Sequence, residues 1–371
     1  MKLSIDRSAL LRSLSHVQSV VERRNTIPIL SNVLMKANDG VLSLSSTDMD
    51  LEINESVAAN VTLGGATTAP AHTFHDIVRK LPDGSEVEVE LNAEGTQMTV
   101  RAGRSQFKLS CLPVADFPEI STGDLPNGFS LPASDLRALI DRTKFAMSTE
   151  ETRYYLNGIY VHEADNDGVK VLRAVSTDGH RLARFEMPLP EGASSMPGVI
   201  VPRKAVGEVR KLIEDAADLI QITLSENKIR FAFDHIVLTS KLIDGTFPDY
   251  QRVIPEGNDK IVEVDPKVFT RAIDRVSTIS DGKSRALKIA LNGKQMTLSA
   301  SSPESGSATE EMEVNGDSDM EIGFNAKYLL DITSQIEGEG CRLTLADSAS
   351  PTIIQDNSDP SALYVLMPLR V

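Results

Sequence analysis

Asp178 and His180 stand two residues apart in Thr177-Asp178-Gly179-His180-Arg181, close enough for a carboxylate and an imidazole to share a proton as general acid and base. No nucleophile motif such as GxSxG accompanies them, and the related turn Thr47-Asp48-Met49 lacks the histidine. Asp48 and Asp50 alternate along a stretch that reads as strand; the pair could hold Mg²⁺, and a solvated strand face accounts for it more simply. His72 and His75 share a predicted helix, yet no carboxylate or cysteine completes a metal set at an obvious spacing. Cys111 and Cys341 show no CxxC or Cys/His pattern and are expected to be buried thiols in a reducing compartment. Gly64-Gly65 has no GK[ST] partner and no GxGxxG occurs, so a phosphate-cradling loop is not expected. No cofactor and no metal is expected, and a non-catalytic role is favoured over a hydrolase using Asp178 and His180.

The elements that must carry these residues repeat. IDRSALLRSLSHV from Ile5, LPASDLRALIDRT from Leu131 and VDPKVFTRAIDRV from Val264 align without gaps. Leu10, Leu136 and Phe269 coincide, then Leu14, Ile140 and Ile273, then Val17, Thr143 and Val276, in steps that put each set on one helix face. A second helix is predicted from Pro70, Pro202 and Asn325, with Phe74, Val206 and Leu329 at matching places and Pro in the first turn of two copies. Between the two helices of each copy lie β-rich runs around Asp39-Gly40, Asp167-Gly168 and Asn292-Gly293, which are hairpin signals. The first two copies also share Ser46-Thr47-Asp48 with Ser176-Thr177-Asp178, and Phe-Pro at 117–118 with 247–248.

The chain therefore reads as an α+β tandem triplication: 1–125, 126–257 and 258–371, each with two helices on antiparallel sheet. Breaks fall in loop-like stretches at 121–128 and 255–260. Ser299–Thr309 reads as a mobile loop or a weak strand pair. Tyr154 and Tyr155, adjacent in a chain poor in aromatics, are expected on a strand and so on opposite faces.

The 371 residues carry a net charge of −15, which excludes a protein that grips nucleic acid by being basic overall. The charge is uneven. Predicted helical segments 6–24, 72–81, 134–147, 202–215, 265–279 and 325–337 hold 17 Lys and Arg against 12 Asp and Glu, whereas the remainder holds 21 against 41. Lys267, Arg271 and Arg275 recur every four residues as a solvent-facing stripe. No long apolar run and no signal-peptide shape occurs, so no membrane association and a cytoplasmic location are expected.

Taken together, the triplication, RYYLNG at 153–158, TDGHRL at 177–182, SKLIDGTFPDYQRVIP at 240–255 and the ending YVLMPLRV resemble the bacterial DNA polymerase III β subunit family, the DNA sliding clamps. The resemblance spans the whole chain. It implies a DNA-clamp fold and a head-to-tail homodimeric ring around double-stranded DNA, helices inside and sheets outside. The implied function is a processivity factor that is not an enzyme, nucleoid-associated in the cytoplasm. Its implied partners are the polymerase III α subunit, the clamp loader δ subunit, and other polymerases and mismatch-repair proteins that carry a clamp-binding peptide.

Carried over by position, the resemblance assigns Arg24, Tyr154 and Tyr155 to DNA. It assigns a peptide pocket to Leu156, Thr177, Gly179, His180, Arg181, Leu182, Pro248, Arg252, Val253, Val365, Leu366, Met367, Pro368, Leu369 and Arg370, an apolar slot rimmed by His and Arg. The subunit interface is expected at the edge strand Gly103–Leu109, with Arg104, Phe107 and Leu109, against a segment of the third repeat with Ile279 and Glu304.

Overall fold

Apolar residues at the predicted helical spacing are buried in all three copies, which fixes where the first helix of each lies. A computed structural model describes residues 1–121, 123–215, 219–280 and 285–370. Thr122, in the first expected break, and Val371, the expected end of the third repeat, lie outside the described residues. The helices are α1 (Arg7–Gln18), α2 (Ala71–Lys80), α3 (Ala133–Asp141), α4 (Arg203–Leu212), α5 (Pro266–Ser277) and α6 (Ala326–Thr333). Leu10, Leu14, Val17, Phe269 and Ile273 are completely buried, while Lys267, Arg271 and Arg275 face solvent.

Side-chain caps explain three of the starts. Asp6 accepts from the backbone N–H of Ser8 and Ala9, Asp265 from Lys267 and Val268, and Asn325 from Lys327 and Tyr328, satisfying donors that a helix leaves open. Pro70 and Pro202 precede α2 and α4 rather than occupying their first turns, which corrects the expectation. The first helix stops at Gln18, so Arg24 lies on an exposed loop. α3 likewise ends at Asp141, and a short 3-10 turn at Lys144–Ala146 follows it.

The described residues form two compact units. One comprises Met1–Leu136, Pro190–Ala193 and Lys204–Leu242. Its five-stranded sheet runs Asn60–Leu63, Lys2–Asp6, Glu86–Leu91, Gln97–Ala102, Ser105–Ser110. Its eight-stranded sheet has Asn127–Pro132, Leu219–Leu224, Lys228–Phe233 and Ile236–Lys241 from the second copy, then Leu51–Ala58, Val41–Thr47, Asn32–Asn38 and Gly65–Pro70 from the first. The copies join where Leu238 pairs with Ile53.

The other unit comprises Arg137–Leu189, Ser194–Arg203 and Ile243–Val371. Its eight-stranded sheet runs Val199–Pro202, Gly158–Asn166, Val169–Thr177, Arg181–Pro188 and then, from the third copy, Ala362–Leu366, Thr352–Asp356, Cys341–Leu345 and Lys260–Val264. A four-stranded sheet runs Gly306–Glu313, Gln295–Ser302, Ala286–Asn292, Met320–Asn325. In each unit the large sheet joins strands of successive copies edge to edge, and every pairing within the four sheets is antiparallel.

The hairpins follow from left-handed backbone. Asp39 and Gly40 have φ of 46° and 79°, and Asp167 and Gly168 have 51° and 85°, the two-residue turn that matches strand twist. The third turn is shifted by one residue: Asn292 pairs with Gln295, so Gly293-Lys294 forms the loop. Ser299–Thr309 is a strand pair, with Ser302 opposite Gly306 across a turn at 303–305, and not a loop.

Both cysteines are buried, and burial pushes the Cys341 thiol up to about 12. Neither should react with a thiol reagent at pH 8 until denaturant is added; rapid labelling of the native protein would contradict this placement. Replacing Phe269 with Ala should lower stability by about 3 to 5 kcal/mol in urea unfolding, whereas Lys267→Ala should stay within about 0.5 kcal/mol.

Candidate functional site

The Thr177–Arg181 turn is built by its own side chains. Asp178 Oδ1 accepts from the N–H of His180 and of Arg181, both at 3.0 Å, and the Thr177 hydroxyl donates to the Arg181 carbonyl at 2.7 Å. Gly179 has φ of 87°, so the backbone calls for glycine, while a Cβ there would meet only the movable end of the Arg153 side chain. The Asp178 carboxylate is committed to this turn and to Arg181, 3.1 Å away. Asp178 and His180 therefore do not form the acid/base pair considered from sequence.

Arg181 anchors the turn from beneath. It is only 8% exposed, and its Nη1 donates to Asp331 Oδ2 at 2.5 Å, its Nη2 to the Phe145 carbonyl at 2.7 Å. Its guanidinium also lies 4.3 Å from the centre of the Tyr328 ring. Arg181 thus belongs to the frame, not the rim.

The chain's last strand is drawn to the same place. Leu182 pairs with Val365 and Arg181 with Leu366, and beyond the ladder the Met367 N–H donates to the His180 carbonyl at 2.9 Å. Leu156, Val175, Leu182, Ile200, Phe247, Tyr250, Leu363 and Val365 form one buried apolar cluster. Over it stand exposed groups: Val253 (48%), Met367 (39%), Gly179, His180, Pro248 and Arg252, the last paired with Asp249 at 2.8 Å. Thr177 is half-buried, and Leu366 is completely buried.

The tail then turns away. The Leu369 N–H donates to the Gly323 carbonyl at 2.8 Å, and Pro368, Leu369 and Arg370 line a separate hollow with Glu321, Ile322 and Ala349. The structure thus gathers twelve of the fifteen expected pocket residues at the slot or in its frame and puts these three around another concavity. Phe247, Tyr250, Val175 and Ile200 complete the floor and were missed in the sequence reading, although Phe247 and Tyr250 lie within the 240–255 run.

Tyr154 and Tyr155 sit on a 3-10 helix, Glu151–Leu156, and not on a strand. Tyr154 is 53% exposed, while Tyr155 packs against the apolar cluster. Their rings meet edge to face at 5.8 Å.

The first copy repeats this backbone with different side chains. Asp48 Oδ1 accepts from the N–H of Asp50 and Leu51, Met49 has φ of 77°, Leu51 pairs with Ser240, and the Lys241 N–H donates to the Asp50 carbonyl at 2.8 Å. Asp48 and Asp50 are turn residues, not alternating strand residues, and their carboxylates meet Lys204 at 2.6 Å and Lys241 at 2.9 Å. Where the second copy has Leu182, Val365 and Leu366, the first has Glu52, Thr239 and Ser240, and Glu52 accepts from the Ile120 N–H at 3.0 Å. The same framework is polar and self-bonded there; only the later copy offers an apolar slot.

His72 and His75 also point to partners other than a metal. His72 Nε2 lies 2.9 Å from the Val21 carbonyl and His75 Nε2 3.2 Å from the Ser15 hydroxyl, with burial holding His75 below the ordinary histidine range. Among the described residues no group of three or more His, Cys, Asp or Glu could hold a metal ion. No helix among them is long and apolar enough to cross a membrane.

Three tandem α+β repeats, and an apolar cluster beside which Val253 and Met367 are exposed with His180 and Arg252, suit a scaffold for extended segments of other proteins. Residues 1–121, 130–249 and 251–370 match the N-terminal, central and C-terminal domains of the DNA polymerase III beta subunit. The chain is 53% identical over the full length of both chains to the beta sliding clamp of Caulobacter vibrioides, and 39% identical over full length to that of Escherichia coli K12. Its fold is similar to a solved C. crescentus beta sliding clamp (TM-score 0.98, 53% identity, 100% and 99% of the two chains covered). It is also similar to a Bartonella birtlesii sliding clamp bound to griselimycin (TM-score 0.97, 50% identity, both chains fully covered). The chain belongs to the DNA polymerase III β subunit family, the bacterial DNA sliding clamps. It is a processivity factor of DNA replication and a non-catalytic subunit.

Because Arg181 is buried against two carboxylates and a ring, Arg181→Met should cost about 3 kcal/mol by leaving Asp331 and Asp178 without their cation. Urea unfolding checks this, and a loss below about 0.5 kcal/mol would remove Arg181 from the frame of the slot.

Proposed function

We propose that two copies, with domains 1–125, 126–257 and 258–371, close head to tail around duplex DNA and present one peptide slot per chain. The observation that carries the docking part is the Leu182–Val365 floor with its exposed Val253 and Met367. A short segment with a glutamine and large apolar side chains suits it, and an exposed Met adapts to several such ligands. The occupants are the polymerase III α subunit, the clamp loader δ subunit, other polymerases and mismatch-repair proteins. The site of action is the nucleoid in the cytoplasm.

The closure reading is supported by Ser105–Ser110 and Gly306–Glu313, each an outer strand of its sheet with no further partner strand among the described residues. Such edges pair readily with another chain. On the first, Arg104 and Lys108 are exposed and Phe107 is half-buried, while Leu109 is buried within its own sheet. On the second, Glu311 and Glu313 are exposed, with Glu304 in the adjoining turn and Ile279 just past α5. Opposite charges on the two edges favour one register between copies.

Arg24, exposed on its loop, and Tyr154 are the groups proposed to approach DNA, with Tyr155 supporting Tyr154. Weak phosphate contacts of this kind hold without reading sequence and permit sliding. In α5, Lys267 and Arg271 are exposed beside Arg275, which is bound by Glu310 at 3.0 Å.

Loaded protein should remain on closed circular DNA and run off after the circle is cut, measured by gel filtration of labelled protein with DNA. Equal retention on both forms would reject the ring. Phe107→Asp should reduce the solution mass to that of one chain and abolish retention.

A further inference from the structure

Residues 243–254 lie against the strands Val199–Pro202, Gly158–Asn166 and Val169–Thr177 as a strap beside the slot, and the backbone does little to hold it. Ile243 N–H donates to the Ile200 carbonyl at 3.0 Å; from there to the 3-10 helix Tyr250–Val253, no backbone N–H bonds to the sheet among the described residues. Two aromatic side chains do the holding. Phe247 stacks on Tyr160 at 4.9 Å, and Tyr160 stacks on His162 at 4.5 Å. Tyr250, 6% exposed, sends its hydroxyl under the strap to a buried polar knot.

The knot has a defined direction. His162 Nδ1 lies 2.7 Å from the Glu163 carbonyl, which can only accept, so Nδ1 carries the proton and Nε2, 3.0 Å from the Tyr250 hydroxyl, accepts from it. The Tyr250 oxygen in turn accepts from Arg173 Nη1 at 2.9 Å. Arg173, 4% exposed, is fixed by Glu186 at 2.7 Å, and Glu186 also meets Arg184 at 3.2 Å and Asn166 at 3.0 Å. Every bond of Tyr250 is therefore made to a group locked from behind.

We infer that His162 and Arg173 are positioning residues for peptide docking: through the Tyr250 hydroxyl they set the height of the strap, and with it the placement of Pro248, Arg252 and Val253. This deepens the docking reading and rests on it. Neither residue belongs to the slot itself; they act one layer beneath.

The charges around His162 give the device a pH dependence. Arg173 on the neighbouring strand and the Tyr250 phenol on the strap face it, Glu186 on the next strand lies behind Arg173 and meets Arg184, and the Glu163 carboxylate on its own strand is taken up by Lys170 at 2.9 Å. Arg173 disfavours a second positive charge there, and the Glu186 carboxylate opposes that effect. Burial first, and Arg173 with it, holds His162 below the ordinary histidine range. A histidine with a lowered folded-state pKa stays neutral through that range, so the strap remains held there and loosens only as pH falls below it, while the linked stability declines from the unfolded value downward. Protonation turns Nε2 into a donor and leaves the Tyr250 hydroxyl proton without its acceptor.

The test is fluorescence anisotropy of a labelled synthetic peptide carrying one glutamine followed by leucines and phenylalanine, titrated with the full-length protein and three variants. Tyr250→Phe, which removes only the hydroxyl, and His162→Leu should each weaken binding about tenfold. His162→Gln, whose carbonyl can accept the same proton, should stay within about twofold. Wild-type affinity should fall on acidification while that of His162→Gln stays flat. Variants that bind like wild type, a Gln variant as weak as the Leu one, or a wild-type pH profile matching that of His162→Gln would overturn the inference. If His162→Leu does not fold, Tyr250→Phe and the pH profiles decide. Absence of peptide binding by the wild type would instead overturn the docking reading, and this inference with it.

Discussion

Pairing of the strand Ala362–Leu366 with Arg181–Pro188 is the constraint from which the site follows. It sets Val365 opposite Leu182 and Leu366 opposite Arg181, and it delivers the Met367 N–H to the His180 carbonyl. Side chains alternate along a strand, so a slip of one residue would send Val365 to the other face and bring Leu366 into the slot. Register is pinned at the end of the ladder by the turn, and the turn is pinned by Arg181 against Asp178 and Asp331. One buried guanidinium thus ties the second repeat to the third at the place where the slot opens.

The same logic explains why a triplicated chain has a single slot of this kind among its described copies of the turn. Asp48 and Asp178 build the same turn, and Lys241 and Met367 close it with equivalent bonds. What differs is the surface the frame presents. Glu52 in the first copy draws the following segment down through the Ile120 N–H, whereas Leu182 in the second has no polar atom to do so. A carboxylate in a largely buried place must find donors, and satisfying it closes the groove. An apolar floor leaves the covering strap to be held from elsewhere, which is the work of Tyr250.

Much of the fold was legible from periodicity. The burial of Leu10, Leu14 and Val17, and of Phe269, Ile273 and Val276, follows from helix geometry, because residues three and four apart share a face whatever the tertiary context. Asp39-Gly40 and Asp167-Gly168 likewise announced their hairpins, since left-handed backbone is a local demand. Tyr154 and Tyr155 were misread as strand because a tyrosine pair has high strand propensity, and propensity yields to a chain that must turn between α3 and the sheet. Asp48 and Asp50 were misread for a related reason: two carboxylates at alternate positions resemble a strand face until the Asx bonds of the turn are seen.

By itself the sequence determined the repeat, the faces of its helices, most of its hairpins and the family to which it belongs, all of which depend on neighbours within a few residues or on motifs carried whole. Only the tertiary structure decided which residues share a site. Leu156, Leu182, Tyr250 and Val365 are brought together by strand pairing and the strap, over separations that no local pattern encodes. It also decided that Arg181 lies beneath the slot and not at its rim, because burial is a property of what packs around a side chain and not of the side chain alone.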